Sequence, residues 1–207
     1  MSVATLACAL AVAGCGEVRV TDPAQTATQQ FLMTQAIAEA VAQLDADLLR
    51  DRNVFVASDL LDVPQKQYLV AAVRAQLLEQ GVRLVSDAAK AEMVVELRSQ
   101  GVGIDRLANL LGLPAVFLPA GSDVGGLETQ TLITPEIALY KKVHQKGYAA
   151  VAFTAYWRDT GELVGSGGPV YGYTWRKDVW ILGFGPNTTG DIVTAQPEAP
   201  VAEGAEE

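Results

Sequence analysis

Cysteine is confined to the start of this 207-residue chain, where Cys8 and Cys15 are the only two. Nothing beyond Cys15 can form a disulfide or a thiolate metal site. Histidine is scarcer still, with His144 alone, so no zinc site can be assembled from several imidazoles. No D-x-D-x-D-G loop offers a calcium site. Neither a metal nor a cofactor is expected. Positive charge is also short: 15 Lys and Arg stand against 24 Asp and Glu, for a net charge of -9. A phosphate backbone would be repelled, which argues against a nucleic-acid partner. An anionic membrane surface would be repelled too, so membrane attachment calls for a hydrophobic or covalent anchor.

Catalytic signatures are equally thin. A Ser-His-Asp triad would have to use His144, which shares a strand face with Glu136, Tyr140 and Lys142 in the sequence pattern. Ser166 has Val164 where a G-x-S-x-G elbow needs glycine. The stretches GSGGP (165–169) and GFGPNTTG (183–190) lack the Lys-Ser/Thr ending of a phosphate loop. Glu96 and Asp105 could be imagined as an acid pair, but nothing in the sequence brings them together. No catalysis is expected. A hydrolase with an unrecognised site is the remaining enzymatic alternative.

What is present is apolar: half of the residues, enough for one medium domain with tails. The run VATLACALAVAG (3–14) is uncharged and too short to span a bilayer. Its length suits the apolar region of a secretory signal. Val12-Ala13-Gly14-Cys15 resembles the lipobox of bacterial lipoproteins. That resemblance implies cleavage before Cys15 and a diacylglyceryl group on its thiol, with palmitate among the attached lipid chains. Gly16 in place of an aspartate implies sorting to the outer membrane. The segment departs from the pattern in having no Lys or Arg before Arg19. The alternative is a chance run of small residues ahead of an ordinary cysteine.

Residues 15–27 read as a lipidated tether and residues 28–194 as a single domain. Residues 195–207 read as a disordered acidic tail (QPEAPVAEGAEE from Gln196). Ile37, Val41, Leu44 and Leu48 form one stripe of a helix expected over 28–51. NVFVAS (53–58) reads as a strand. A second helix follows, with Pro64 in its first turn, Gly81 as its left-handed cap and a stripe of Val70, Val73 and Leu77. VRLVS (82–86) and AEMVVELR (91–98) read as strands, the second with Met93, Val95 and Leu97 on its apolar face. From 101 to 135 the chain becomes an apolar, glycine-rich excursion with weak periodicity. PEIALYKKVHQK (135–146) alternates again, with Gly147 expected to break it. YAAVAFTAYWRD (148–159), a turn at Asp159-Thr160-Gly161, a glycine-interrupted strand to Trp175 and a last run at 177–184 follow. This order predicts an α+β fold: a two-layer sandwich of two main helices on a mixed, mainly antiparallel sheet, with the first β-α-β unit parallel.

The stretch LLEQGVRLVSDAAKAEMVVELR (77–98) resembles an element of bacterial envelope lipoproteins. It is similar to the domain of the Tol-Pal translocation protein amino terminus, of lipoprotein activators of penicillin-binding proteins, of the curli secretion lipoprotein and of the TraT-type surface-exclusion lipoprotein. The resemblance covers 53–98 and is one of fold. It implies an outer-membrane lipoprotein facing the periplasm that acts by binding or assembly in the cell envelope, with an envelope protein or itself as partner. The alternative is a subunit of an oligomeric ring or pore, with the excursion at the membrane. In the surface-exclusion type a Gly/Ala-rich segment occupies the matching place. The excursion, including Leu110, Leu111, Phe117 and Leu118, is then either a lid over its own domain or an assembly contact. Tyr171, Tyr173, Trp175, Trp180 and Phe184 form an aromatic cluster in which Tyr171, Tyr173 and Trp175 share one strand face. This ladder either faces the core or forms an exposed interaction patch.

Overall fold

The computed structural model describes residues 25–114, 117–118, 132–133 and 136–192. The signal segment, Cys15, most of the tether and the acidic tail lie outside these residues. Helix α1 (Ala27–Val41) starts on a capping box: the Thr26 hydroxyl accepts from the Gln29 N–H (3.3 Å), and the Gln29 side chain accepts from the Thr26 N–H (3.0 Å). The stripe through Ile37, Val41 and Leu44 is buried as the spacing requires. The helix, however, stops at Val41 instead of reaching residue 51. The Gln80 side chain accepts from the Ala46 N–H (2.7 Å) and donates to the Leu44 carbonyl (2.6 Å), holding this stretch outside the helix. A short 3-10 turn at Asp47–Leu49 then buries Leu49 and leaves Leu48 exposed.

Strand β1 (Asn53–Ala57) leads to helix α2 (Lys66–Glu79), which buries Leu69, Val73 and Leu77. Gly81, at φ +86°, ends this helix in a Schellman motif: Val82 N–H donates to the Leu77 carbonyl and Gly81 N–H to that of Leu78, each at 3.0 Å. Strand β2 (Arg83–Leu84) lies parallel to β1 on one side, and β3 (Met93–Leu113) lies parallel on the other. The short β4 (Phe117–Leu118) and β5 (Leu132–Ile133) form a separate two-stranded pair. Strands β6 (Ile137–Trp157), β7 (Leu163–Ile181) and β8 (Phe184–Gly190) complete the six-stranded mixed sheet in the order β2-β1-β3-β6-β7-β8, antiparallel from β3 onward. The fold is α+β: two main helices and a six-stranded mixed sheet.

Two sequence expectations are corrected here. The strand that begins at Met93 does not stop at Arg98, because residues 101–113 of the expected excursion continue β3 and pair with 137–150. A register shift between Ser99 and Gly101 absorbs the polar, glycine-containing stretch, as a β-bulge does. The Ser99 hydroxyl donates to the Ala150 carbonyl and accepts from the Gly101 N–H. Nor does Gly147 break β6. A Cβ there would sit 2.6 Å from the Leu32 carbonyl oxygen, so the missing side chain makes room for α1. The tight turn between β7 and β8 has Leu182 and Gly183 both at positive φ, +52° and +83°, as a type I′ hairpin requires.

The core joins α1, α2 and one face of the sheet: Ile37 and Leu77 meet Val95, Leu97, Val151 and Phe153. Helix α1 approaches the strands with its backbone. A Cβ on Gly172 would lie 1.8 Å from the Ala36 carbonyl oxygen, and the buried Thr174 hydroxyl donates to the Leu32 carbonyl (2.9 Å). Farther along the same face, Arg176 Nε reaches both Asp178 carboxylate oxygens (3.1 and 3.0 Å), and the Thr188 hydroxyl donates to Asp178 Oδ1 (2.6 Å). That network ties β8 to β7.

Leu77, 1% exposed, gives the first test: Leu77→Ala lowers the unfolding free energy by about 2–5 kcal/mol in a denaturant titration. Gly172→Ala forces helix and sheet apart and costs about 1–3 kcal/mol or more. Gly103→Ala, whose new methyl meets nothing within 4 Å, stays within about 1 kcal/mol, the penalty or gain set by strand propensity.

Candidate functional site

Side chains alternate along a strand, so the docking of α1 on Gly147, Gly172 and Thr174 decides what faces away. Tyr171, Tyr173 and Trp175 stand on the opposite, helix-free face, as do Tyr148, Ala150 and Ala152 of β6. The aromatic ladder therefore shares one face, as its spacing requires, and does not point into the core. Tyr171 is 61% and Tyr173 43% exposed. Tyr148 and Tyr173 pack with ring centroids 5.4 Å apart and a tilt of 54°. The Tyr171 hydroxyl donates to Gln100 Oε1 (3.2 Å).

These residues surround a groove of about 700 Å³. Gly101, Gly103 and Ala150 form a nearly side-chain-free floor, the tyrosines form the walls, and Asp105 stands at one end. Tyr148, Gln100 and the two glycines are the site residues that the sequence pattern did not disclose. Tyr148 is in phase with Ala150 and Ala152, so the alternation itself carried that signal.

A row of cations runs down from the groove on the same face. Lys142, His144 and Lys146 alternate on β6, and Lys177 sits opposite His144 on β7. The His144 ring meets Trp175 edge-on, with centroids 6.0 Å apart. Desolvation, then the charges of Lys146, Lys142 and Lys177, push the imidazole below its ordinary pKa. Glu136, expected on the same face, instead bonds Lys141 (2.7 Å).

The remaining candidates lie at the far end of the β3-β6-β7-β8 arm. Leu110 and Leu111 point to opposite faces of β3, and Leu111 is 65% exposed. Trp180 lies on the face opposite Tyr173, with Lys141 Nζ 5.7 Å from its ring centroid. Phe184 is 82% exposed beside the β7-β8 turn. The stretches 107–113, 137–140 and 179–185 contain no charged residue. Leu107, Leu113, Ile137, Leu139, Ile181 and Leu182 are also exposed there. The five-aromatic cluster is thus split between groove and arm. The backbone of Phe117 and Leu118 pairs with β5, and their side chains lie outside the described residues. Among the described residues no group of three or more His, Cys, Asp or Glu could hold a metal, and no helix is long and apolar enough to cross a membrane.

The architecture defines an α+β protein with a mixed sheet, an aromatic groove on its helix-free face and an arm whose far end is uncharged. The chain belongs to the family of unknown function DUF6655, whose profile matches residues 9–199. No curated protein and no solved structure matches it.

The His144 environment gives a pH prediction. Its folded pKa is depressed, so the folded state binds fewer protons than the unfolded state once pH falls to the ordinary imidazole range. This group's contribution to stability is present at higher pH and is lost as pH falls through that range. Nuclear magnetic resonance titration reads His144 below its ordinary value, and Lys146→Gln moves it upward.

Proposed function

We propose that the protein is an outer-membrane lipoprotein, anchored through Cys15 and facing the periplasm, that acts as a binding or assembly module of the bacterial cell envelope. In this reading its domain is a two-layer sandwich of two helices on the sheet. The observation that carries the reading is the concentration of exposed aromatic and apolar side chains in the tyrosine groove and at the uncharged end of the arm. Contiguous exposed apolar surface marks interaction sites.

A second reading, a subunit of an oligomeric ring or pore, draws on the arm alone. Its apolar side chains stand on both faces: Leu111 and Ile181 on one, Leu110 and Trp180 on the other. A surface apolar on both sides suits a surrounding of lipid or of neighbouring subunits better than one flat partner.

Cys15→Ser tests the anchoring. The variant leaves the membrane fraction, and intact-mass measurement of the parent protein reads the added lipid on Cys15. Native parent protein with an unmodified Cys15 overturns the reading.

A further inference from the structure

The groove restricts what can occupy it. Its strands β3, β6 and β7 are hydrogen-bonded to one another along its length, so an occupant cannot join the sheet as a strand. It must be held by side chains. Exposed tyrosines around a floor of glycine and alanine suit a polyproline II segment, which has no internal hydrogen bonds and docks on aromatic-lined grooves. The Gln100 amide N–H groups and the Tyr148 and Tyr173 hydroxyls supply donors for its carbonyls.

The described chain ends beside this groove. Strand β8 runs along β7, and Asp191 closes the pairing: its N–H donates to the Trp175 carbonyl (3.0 Å), and its carboxylate accepts from the Trp175 N–H (2.9 Å). Beyond that point the edge of β7 is taken by α1. Tyr173 N–H donates to Glu39 (3.3 Å), and the Tyr171 carbonyl accepts from Gln43 (2.8 Å). Helix α1 also covers one face. The face left open beside this end is the helix-free one that carries Tyr173 and Tyr171.

The sequence after Ile192 is VTAQPEAPVAEGAEE, in which Pro197-Glu198-Ala199-Pro200 has the P-x-x-P spacing. At ~3.1 Å per residue, the stretch from Asp191 to Pro197 reaches about 19 Å. Tyr171 lies only about 13 Å along β7 from Trp175. We propose that residues 196–201 of this chain dock in the Tyr148–Tyr171–Tyr173 groove as a polyproline II segment. The groove is then a self-occupied site that any outside ligand must win from the tail. This holds whether or not Cys15 is lipidated.

The test uses the full chain with Cys15→Ser and a fluorescent synthetic peptide spanning Thr194–Glu207. The parent chain binds the peptide weakly, because its own tail competes at high effective concentration. Pro197→Ala with Pro200→Ala in the chain frees the groove, and peptide affinity rises at least tenfold. Adding Tyr171→Ala and Tyr173→Ala abolishes that gain with little change in melting temperature, since both side chains are exposed. Equal affinity for the parent and the proline variant, or a gain that survives loss of the tyrosines, overturns the proposal. Equal binding by a peptide lacking both prolines, lost in about 1 M salt where screening acts within ~3 Å, overturns it in favour of a charge contact. Competition in the parent that weakens on dilution overturns it in favour of a tail from a second copy.

Discussion

The contact on which the rest depends is backbone to backbone: helix α1 lies against β6 and β7 with no side chain between them at Gly147 and Gly172. The Thr174 hydroxyl closes the gap with a hydrogen bond to the Leu32 carbonyl. A buried hydroxyl is tolerated only with such a partner. Small residues on both surfaces, Ala36 and Ala40 on the helix and the two glycines on the strands, bring the layers close enough for Phe153 and Ile37 to share one core. Because strand residues alternate, placing Gly172 and Thr174 under the helix places Tyr171, Tyr173 and Trp175 on the other side. Groove and core are thus two results of one registration.

Much of this was legible in the sequence because it rests on local rules. Met93, Val95 and Leu97 alternate onto the core face. Gly81 caps α2 in the left-handed conformation, and Asp159-Thr160-Gly161 makes the turn between β6 and β7, with Gly161 at φ +72°. What was not legible depends on distant partners. The end of α1 is decided by Gln80, a residue of the other helix's cap. Gly147 reads as a breaker until Leu32 is seen above it. The continuation of β3 past Ser99 depends on pairing with 137–150, which compensates for a polar, glycine-rich stretch of low strand propensity. Spacing placed Tyr171, Tyr173 and Trp175 on one face, but only the position of α1 decides which face is exposed.

Two surfaces result, and they differ in chemistry. The groove is aromatic and lies beside lysines, whereas the arm's end is aliphatic, two-sided and uncharged. The Arg176–Asp178–Thr188 network stands between them on the helix-bearing face. Its carboxylate has both a guanidinium and a hydroxyl donor, the condition under which a buried charge is tolerated. By tying β8 to β7 it also sets the direction in which the chain leaves the sheet.

The hydrogen bond from Thr174 to Leu32 joins residues 142 positions apart in the chain. During synthesis α1 is therefore made long before the strands that cover it. Leu32, Ile37 and Ala40 stay unshielded until β7 has left the ribosome. Loop closure over such a span makes folding slow, and the waiting intermediate exposes apolar surface. The docking of α1 is therefore a late, committing step that nearly all of the polypeptide must precede.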